Sequence, residues 1–370
     1  MQPDIAGRRL VNQRLVGRRF ETPKAVVRWF GAVQSQDYSG AKWGIAQRAS
    51  VASDAGIDRL FDNGKLLRTH VLRPTWHFVV PEDIRWMLGL TGPRVLSGAA
   101  GRLRRLELTP RDIDRACKLF AAALEGGNQL TRSEIGQVLR KSRLSPDGQR
   151  LPHLLLAAEL TGVIVSGPRR GKQFTYALID ERAPTGRAFA GMDAAVELAR
   201  RYFQSHGPAQ LHDFTWWSGL TLAMAREAVA AAGSALSDEV IGGKRYYDTA
   251  TSRASSTGRT VHLLPNFDEY TVAYRDREEM VDAAHGFDPD LFAFRSMLSN
   301  VVTVRGRIRG SWRRVETRGA ARLAIRLQGQ FDQLDERDLA AAVAAYQRFL
   351  GRPVELTVEP GRSPQLPSSR

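Results

Sequence analysis

The sequence predicts an α+β fold in which units of three helices and a hairpin follow one another and lead into a β-rich C-terminal domain. Three observations predict it. Helical apolar spacing recurs in groups of three over the first two thirds of the 370 residues. Each group is followed by a pair of short strand patterns around a tight turn. Strand patterns then dominate the last third of the chain.

The clearest unit lies at 101–185. TPRDIDRACKLFAAALEGG has helical spacing and ends on a Gly pair, and LPHLLLAAELTG is another helical run. Between them, LTRSEIGQVLRKS begins with Thr131 and has Glu134 three positions on, which is the pattern of a capping box. VIVSGPRRGKQFTYALI then predicts two strands around a basic turn. Three helices and a hairpin with a basic tip are typical of a winged helix-turn-helix.

The same order of elements recurs on either side of this unit. At 186–258, DAAVELARRYFQSHG, PAQLHDFTWWSG and LTLAMAREAVAAAG precede two short strands around IGGK, and we interpret this stretch as a third winged helix. At 1–100, a looser copy ends in KLLRTHVLRPTWHFVV, a predicted hairpin with Arg73 and Pro74 at its bend. The repeat is one of structure and not of residue identity.

The rest of the chain has a different pattern. NVVTVRGRIRGSWRRVETRGAARLAIRLQGQ and PVELTVE read as strands, with a helix in DERDLAAAVAAYQRFLG. We therefore expect a small β-barrel or a β-rich domain at 259–358. The tail at 359–370 is polar and rich in Pro and Ser, so we expect it to be disordered.

The charge of the chain favours a polyanionic partner. It carries 54 Lys and Arg against 39 Asp and Glu, a formal net charge of +15. We expect that partner to be double-stranded DNA, although a coding bias toward Arg would produce the same excess. No apolar run approaches the ~20 residues of a membrane span, and the N-terminus has no apolar signal core, so we expect a cytoplasmic protein.

Several kinds of site are not expected. Cys117 is the only cysteine, which excludes an internal disulfide and Cys-based metal sites. His70 and His77 have no carboxylate neighbours in sequence, so we expect no metal. The chain has no phosphate-binding loop, dinucleotide fingerprint or nucleophile elbow, and we therefore expect no cofactor.

Two glutamines are the first candidates for chemistry. Gln34 and Gln36 follow an apolar run in GAVQSQDYSG. Residues i and i+2 point the same way only in extended backbone, so the pair forms a site only if the preceding helix ends near Gly31. Two converging amides can hold a water against a sugar carbon. The alternative is that both amides only bond backbone where a helix meets a turn.

Other polar residues are candidates for lining this site. They are Asp37, Arg73, Thr75, His77, Asp268 and Glu269. Asp37 is expected to face away from the Gln pair, and Thr75 and His77 to share one strand face. The alternative for the hairpin is a core role, and for Asp268 and Glu269 a structural one. The candidates for contacting DNA are Arg73, Arg169, Arg170, Lys172, Lys244 and Arg245.

AVQSQDYSGAKWGIAQR, RTHVLRPTWHFVVPEDIRWML, DFTWWSGL and LLPNFDEYTVAYRDR together resemble the signature stretches of a known family. It is the family of winged-helix DNA-binding proteins that includes the AlkZ/YcaQ-type DNA glycosylases. The resemblance spans most of the chain. It implies tandem winged helices with a β-barrel and the excision of alkylated purines or crosslinked nucleotides.

The resemblance also implies which residues act. In the family a Gln-apolar-Gln or Gln-apolar-Asp triplet carries catalysis, and here the triplet is Gln34-Ser35-Gln36. Ser35 departs from the apolar middle position. A cationic alkylated base leaves without help from an acid, so positioning by amides is sufficient for its excision.

The alternative function is that of a non-enzymatic winged-helix regulator. Such a regulator normally dimerises. Three serial units suit a monomer instead, and we therefore expect a monomer.

Overall fold

The computed structural model describes residues 4–249, 261–281, 300–316, 321–328 and 331–360. It has a mixed α+β fold, as predicted. The α-helices are α1 (Ile5–Asn12), α2 (Pro23–Phe30), α3 (Tyr38–Gln47), α4 (Asp54–Asp62), α5 (Pro81–Arg105), α6 (Pro110–Leu124), α7 (Arg132–Lys141), α8 (Arg150–Leu160), α9 (Ile179–Arg182), α10 (Gly191–His206), α11 (Leu211–Ser218), α12 (Leu222–Ala232), α13 (Glu269–Val272) and α14 (Gln333–Leu350).

The β-strands form four sheets within the described ranges. They are β1 (Ala32–Gln34), β2 (Leu67–His70), β3 (Trp76–Val79), β4 (Leu130–Thr131), β5 (Ile164–Ser166), β6 (Thr175–Leu178), β7 (Ser237–Ile241), β8 (Lys244–Asp248), β9 (Val261–Leu264), β10 (Asn300–Val304), β11 (Arg307–Glu316), β12 (Ala321–Leu327) and β13 (Val354–Pro360). No helix in the described ranges is long and apolar enough to cross a membrane.

The first sheet is antiparallel and has the order β1-β3-β2. The predicted hairpin is present as β2 and β3, with Arg73 and Pro74 in the connection. In the next part of the chain, α6, α7 and α8 precede the antiparallel pair β5–β6. β4 pairs with β6, so the order of this sheet is β4-β6-β5. Thr131 and Glu134 form the predicted capping box at the start of α7.

The prediction of a C-terminal barrel is wrong. The sheet is open, with the order β13-β12-β11-β10-β9, and its two edge strands do not pair with each other in the described ranges. β12 and β13 run parallel and are joined through α14, while the other neighbours are antiparallel. α14 packs against both edge strands, β9 and β13. Because this crossover helix covers one face, the sheet does not need to close in order to bury it.

The two ends of the chain share one hydrophobic core. Trp43 on α3 packs against Tyr346 and Phe349 on α14, with ring centroids 4.8 and 5.3 Å apart. The Trp43 indole N–H also donates to the Leu263 carbonyl at 2.7 Å. This packing sets β9 and the following helix α13 beside the N-terminal sheet. The predicted tail lies outside the described residues from 361 onward, while β13 continues to Pro360.

Candidate active site

The helix before the Gln pair ends ahead of it, and the chain is a strand as far as Gln34, whereas Gln36 lies at a bend two residues later. Thr22 caps α2 at its start, and the helix ends at Phe30. Gly31 adopts φ +82°, where a Cβ would lie 3.1 Å from the Met87 side chain, so the turn favours glycine. The chain then enters β1, which ends at Gln34. The turn therefore converts a helix into a strand just before the glutamines.

Gln34 is held from two directions. Only 6% of its surface is exposed. Its backbone N–H donates to Glu269 Oε1 at 2.7 Å, and its side-chain Oε1 accepts from Arg73 Nη2 at 2.8 Å. Its direct cross-strand neighbour is His77 on β3. Because directly opposed residues share a sheet face, Gln34 and His77 project to the same side.

Glu269 is a buried carboxylate with its hydrogen bonds satisfied. It is 2% exposed and accepts from the Gln34 N–H, from Trp217 Nε1 at 2.9 Å and from His206 Nε2 at 3.2 Å. Burial acts to raise the pKa of Glu269, but the His206 and Gln34 hydrogen bonds hold this pKa below its ordinary value. The carboxylate is therefore ionised at neutral pH.

His77 is neutral at neutral pH. Burial, followed by the charge of Arg73, lowers the pKa of His77 to about 3. His77 Nδ1 lies 2.9 Å from the Thr75 carbonyl oxygen, so this nitrogen carries the proton and donates it. His77 Nε2 is then an acceptor, and no partner for it exists in the described parts of the chain.

More unpaired polar atoms lie nearby. Arg73 Nε, Thr75 Oγ1 and Ser35 Oγ are also buried without a hydrogen-bond partner among the described residues. Buried polar groups are normally paired, because an unpaired one costs about 1–3 kcal/mol. Polar atoms left unpaired just after β1, in the connection between β2 and β3, and on β3 are what a site for a polar ligand would show.

A family model described as "DNA glycosylase AlkZ-like" matches residues 27–349. The chain belongs to the AlkZ-like DNA glycosylase family. An interstrand DNA cross-link repair glycosylase of Streptomyces sahachiroi is 25% identical over 324 residues, which cover 83% of this chain and 86% of that protein. The solved structure of the Streptomyces sahachiroi DNA glycosylase AlkZ has a TM-score of 0.77 and 21% identity, and the match covers 97% of this chain and all of that one.

Membership of the AlkZ-like family confirms the resemblance that the sequence motifs indicated. It favours a DNA glycosylase over a non-enzymatic regulator. The family implies a DNA substrate. The roles of individual residues stay predictions. In the described parts of the chain, no group of three or more His, Cys, Asp and Glu side chains could hold a metal ion.

Three other site candidates of this AlkZ-like chain have different surroundings from Gln34. Gln36 is exposed, and its Oε1 accepts from the Trp76 N–H at 3.3 Å. Asp37 caps α3 and accepts from the Gly40 N–H at 3.0 Å, so its carboxylate is engaged by the helix N-terminus. Asp268 forms a buried two-point ion pair with Arg48, at 2.7 and 2.8 Å. That pairing is the structural role that the sequence left open.

Sequence reasoning missed His206 and Trp217. His206 is the last residue of α10, and Trp217 lies on α11; both are fully buried. They hold Glu269, more than 50 positions away in sequence. The motif DFTWWSGL, which contains Trp217, contributed to the family resemblance but did not indicate a contact with Glu269. No local pattern links these residues to Gln34.

The predicted DNA contacts are mostly engaged within the protein. Arg169 pairs with Asp58 and Asp62 at 3.1 and 3.2 Å, and Arg170 pairs with Glu134 at 2.7 Å. Lys172 is exposed.

The two predicted DNA contacts on β8 are also paired within the protein. Lys244 bonds Asp276 and Glu278 at 2.7 and 2.6 Å, and Arg245 pairs with Asp238. The role of these cations in binding DNA stays a prediction.

Proposed function

We propose that this protein is a monofunctional DNA glycosylase that hydrolyses the N-glycosidic bond of cationic alkylated purines. Gln34 and Gln36 would act directly on the reacting groups. The observation that carries the proposal is the hydrogen bonding of the two titratable groups beside Gln34. Glu269 accepts from three donors, and the His77 Nδ1–H is bonded to the Thr75 carbonyl. Neither group therefore has a proton to give to a leaving base, which agrees with the lowered pKa of each. A base that is already cationic leaves without that proton.

The roles follow from the contacts. Arg73 holds the Gln34 carbonyl oxygen, which leaves the amide NH₂ free for a sugar or phosphate oxygen. The exposed Gln36 amide is the second group that would position water. The buried negative charge of Glu269 lies behind the Gln34 backbone and would favour positive charge developing on the sugar. Positioning and electrostatics then supply the catalysis that an acid would otherwise provide.

The remaining parts of the chain would hold the DNA. We propose that 1–100, 101–185 and 186–258 act as winged-helix units along a duplex, with 259–358 completing the scaffold. The substrate would be double-stranded DNA in the cytoplasm. The protein would act as a monomer. The net charge of +15 supports a partner of this kind. The name of the relative, a cross-link repair glycosylase, supports bulky or crosslinked lesions within the same class.

The test is single-turnover release of N7- or N3-alkylpurine from a defined duplex at saturating enzyme. Gln34→Ala and Gln36→Ala should each lower the rate by about 10²–10³-fold, with little change in the dissociation constant for DNA. Gln149→Ala is the matched control, because Gln149 is exposed and its side chain makes no capping bond. If the wild type releases no base from any alkylated duplex, the enzyme proposal fails and the regulator alternative returns.

A further inference from the structure

A second candidate site lies across the N-terminal sheet from Gln34. Strand alternation places Gln34, His77 and Thr69 on one face of the β1-β3-β2 sheet, and Arg68 and Trp76 on the other. On that other face is a cavity of about 480 Å³ between the sheet and the unit that contains α7, β5 and β6. Its lining includes Arg68, Trp76, Thr131, Lys172, Phe174 and Tyr176. This volume is in the range of small-ligand sites.

Arg68 is a buried cation with no carboxylate in direct contact. It is 8% exposed, and its Nε and Nη2 both donate to the Ser35 carbonyl, at 3.2 and 3.1 Å. Over the described ranges, no carboxylate lies within 4.0 Å of its guanidinium. Burial lowers the pKa of Arg68 to about 10, so the group stays charged at neutral pH. The buried Glu159 carboxylate bonds His70 and raises the pKa of Arg68 from beyond direct contact, so the cavity leaves room for an anion beside the guanidinium.

The cavity also offers flat aromatic surfaces. The Arg68 guanidinium lies 4.3 Å from the Trp76 ring centroid and 4.8 Å from that of Phe174. The centroids of the His70 and Trp76 rings lie 4.0 Å apart, so the His70 ring packs against the Trp76 ring. No Asp or Glu lines the cavity, and the exposed Arg132 and Lys172 add two further positive charges to its lining. A ligand that suits this lining is both planar and anionic.

We propose that this cavity binds one nucleotide. Its base would stack beside Trp76 and Phe174, and its phosphate would pair with Arg68 and Lys172. Bases stack readily on aromatic rings and on Arg, and phosphate is a bidentate partner for a guanidinium. The nucleotide is either displaced from bound DNA or free in solution. The site is separate from the Gln34 face, and no excision step is required of it.

Two fluorescent probes distinguish the sources. One is a duplex that carries a single unpaired 2-aminopurine, and the other is 2-aminopurine deoxyribonucleoside monophosphate. Neither contains an alkylated base, so the result does not depend on whether the Gln34 face excises anything. The variants are Arg68→Gln and Lys172→Ala. Lys141→Ala is the matched control, since Lys141 is also an exposed lysine, lies at the C-terminal end of α7 and does not line the cavity.

We expect the wild type to quench at least one probe. Arg68→Gln should weaken that response about 10- to 100-fold in dissociation constant, because a charge-assisted contact is lost. Lys172→Ala should weaken it about two- to fivefold, and Lys141→Ala should match the wild type. A response from the duplex alone assigns the site to displaced DNA, and a response from the monophosphate alone assigns it to a free nucleotide.

The proposal is overturned if neither probe responds, or if Lys172→Ala behaves like Lys141→Ala. Lys172 is exposed, so its replacement leaves the fold intact and keeps the test valid even if Arg68→Gln does not fold. Circular dichroism of each variant before titration separates loss of binding from loss of structure.

Discussion

Replacing Glu269 with Gln is a direct test of how Gln34 is positioned. The carboxylate accepts from three donors: the Gln34 N–H, Trp217 Nε1 and His206 Nε2. An amide of the same shape offers one acceptor oxygen and one NH₂ group. Trp217 and the Gln34 backbone can only donate, and they bond different carboxylate oxygens. Whichever way the new amide is turned, one of these two donors faces another donor.

The expected cost follows from that mismatch. A hydrogen bond to a charged group contributes about 1.5–3 kcal/mol, and an unsatisfied buried donor costs about 1–3 kcal/mol. Because the other bonds survive in weaker, neutral form, we expect Glu269→Gln to lower the free energy of unfolding by about 2–4 kcal/mol. A shift of the Gln34 backbone on the scale of an ångström should lower the excision rate by about 10²-fold.

The assay is single-turnover base release at a temperature where the variant is fully folded. Asp83→Asn is the matched control for lost stability. Asp83 is also fully buried, accepts from Trp86 Nε1 at 3.0 Å and pairs with Arg201 at 2.6 Å, but it does not bond Gln34. We expect both variants to lose stability and only Glu269→Gln to lose rate, with DNA affinity unchanged. Equal rates for the two variants would refute the positioning role of Glu269.

Three further predictions use stability, pH and salt. Ser35→Ala removes a buried hydroxyl that has no partner in the described ranges, and it should raise the free energy of unfolding by about 1 kcal/mol in urea titrations. The control Ser218→Ala removes an equally buried hydroxyl that donates to a carbonyl, and it should lower the free energy of unfolding by a similar amount. A lower free energy of unfolding for both variants would contradict this prediction. The pKa of His77 is about 3 in the folded protein, so only the unfolded chain binds a proton at this group as pH falls below about 6.5. The free energy of unfolding of the wild type should therefore fall by about 1.4 kcal/mol per pH unit through this group. A His77→Gln variant that loses stability with falling pH as steeply as the wild type would exclude this contribution of His77. Arg170→Ala should flatten the log–log salt dependence of DNA binding by about 0.9, because the Arg170 side chain is 48% exposed and pairs with one carboxylate. Arg169→Ala should instead lower stability, because Arg169 is 19% exposed and pairs with two carboxylates on α4. Equal salt slopes for the two variants would mean that these pairs do not withhold Arg169 from DNA.

Features encoded within a few residues could be predicted from the sequence. The capping box of Thr131 and Glu134 and the hairpin around Arg73 are both where the sequence predicts them. The helix before the Gln pair ends at Phe30, as the extended pair required. Caps, turns and strand alternation depend on neighbours in sequence, so their patterns are visible without tertiary contacts. Gln34 could be identified as a candidate from the sequence for the same reason.

The surroundings of Gln34 were decided only by the tertiary structure. Glu269 lies 235 positions from Gln34 in sequence, and it reaches the Gln34 N–H because the two ends of the chain share a core around Trp43. Burial and those contacts set the protonation of Glu269 and His77, which no local pattern encodes. The open C-terminal sheet was missed because a strand pattern does not reveal which strands pair or what α14 covers. A pattern of side chains determines what each element can bury, whereas the partner it buries against is chosen by the packing of the whole chain.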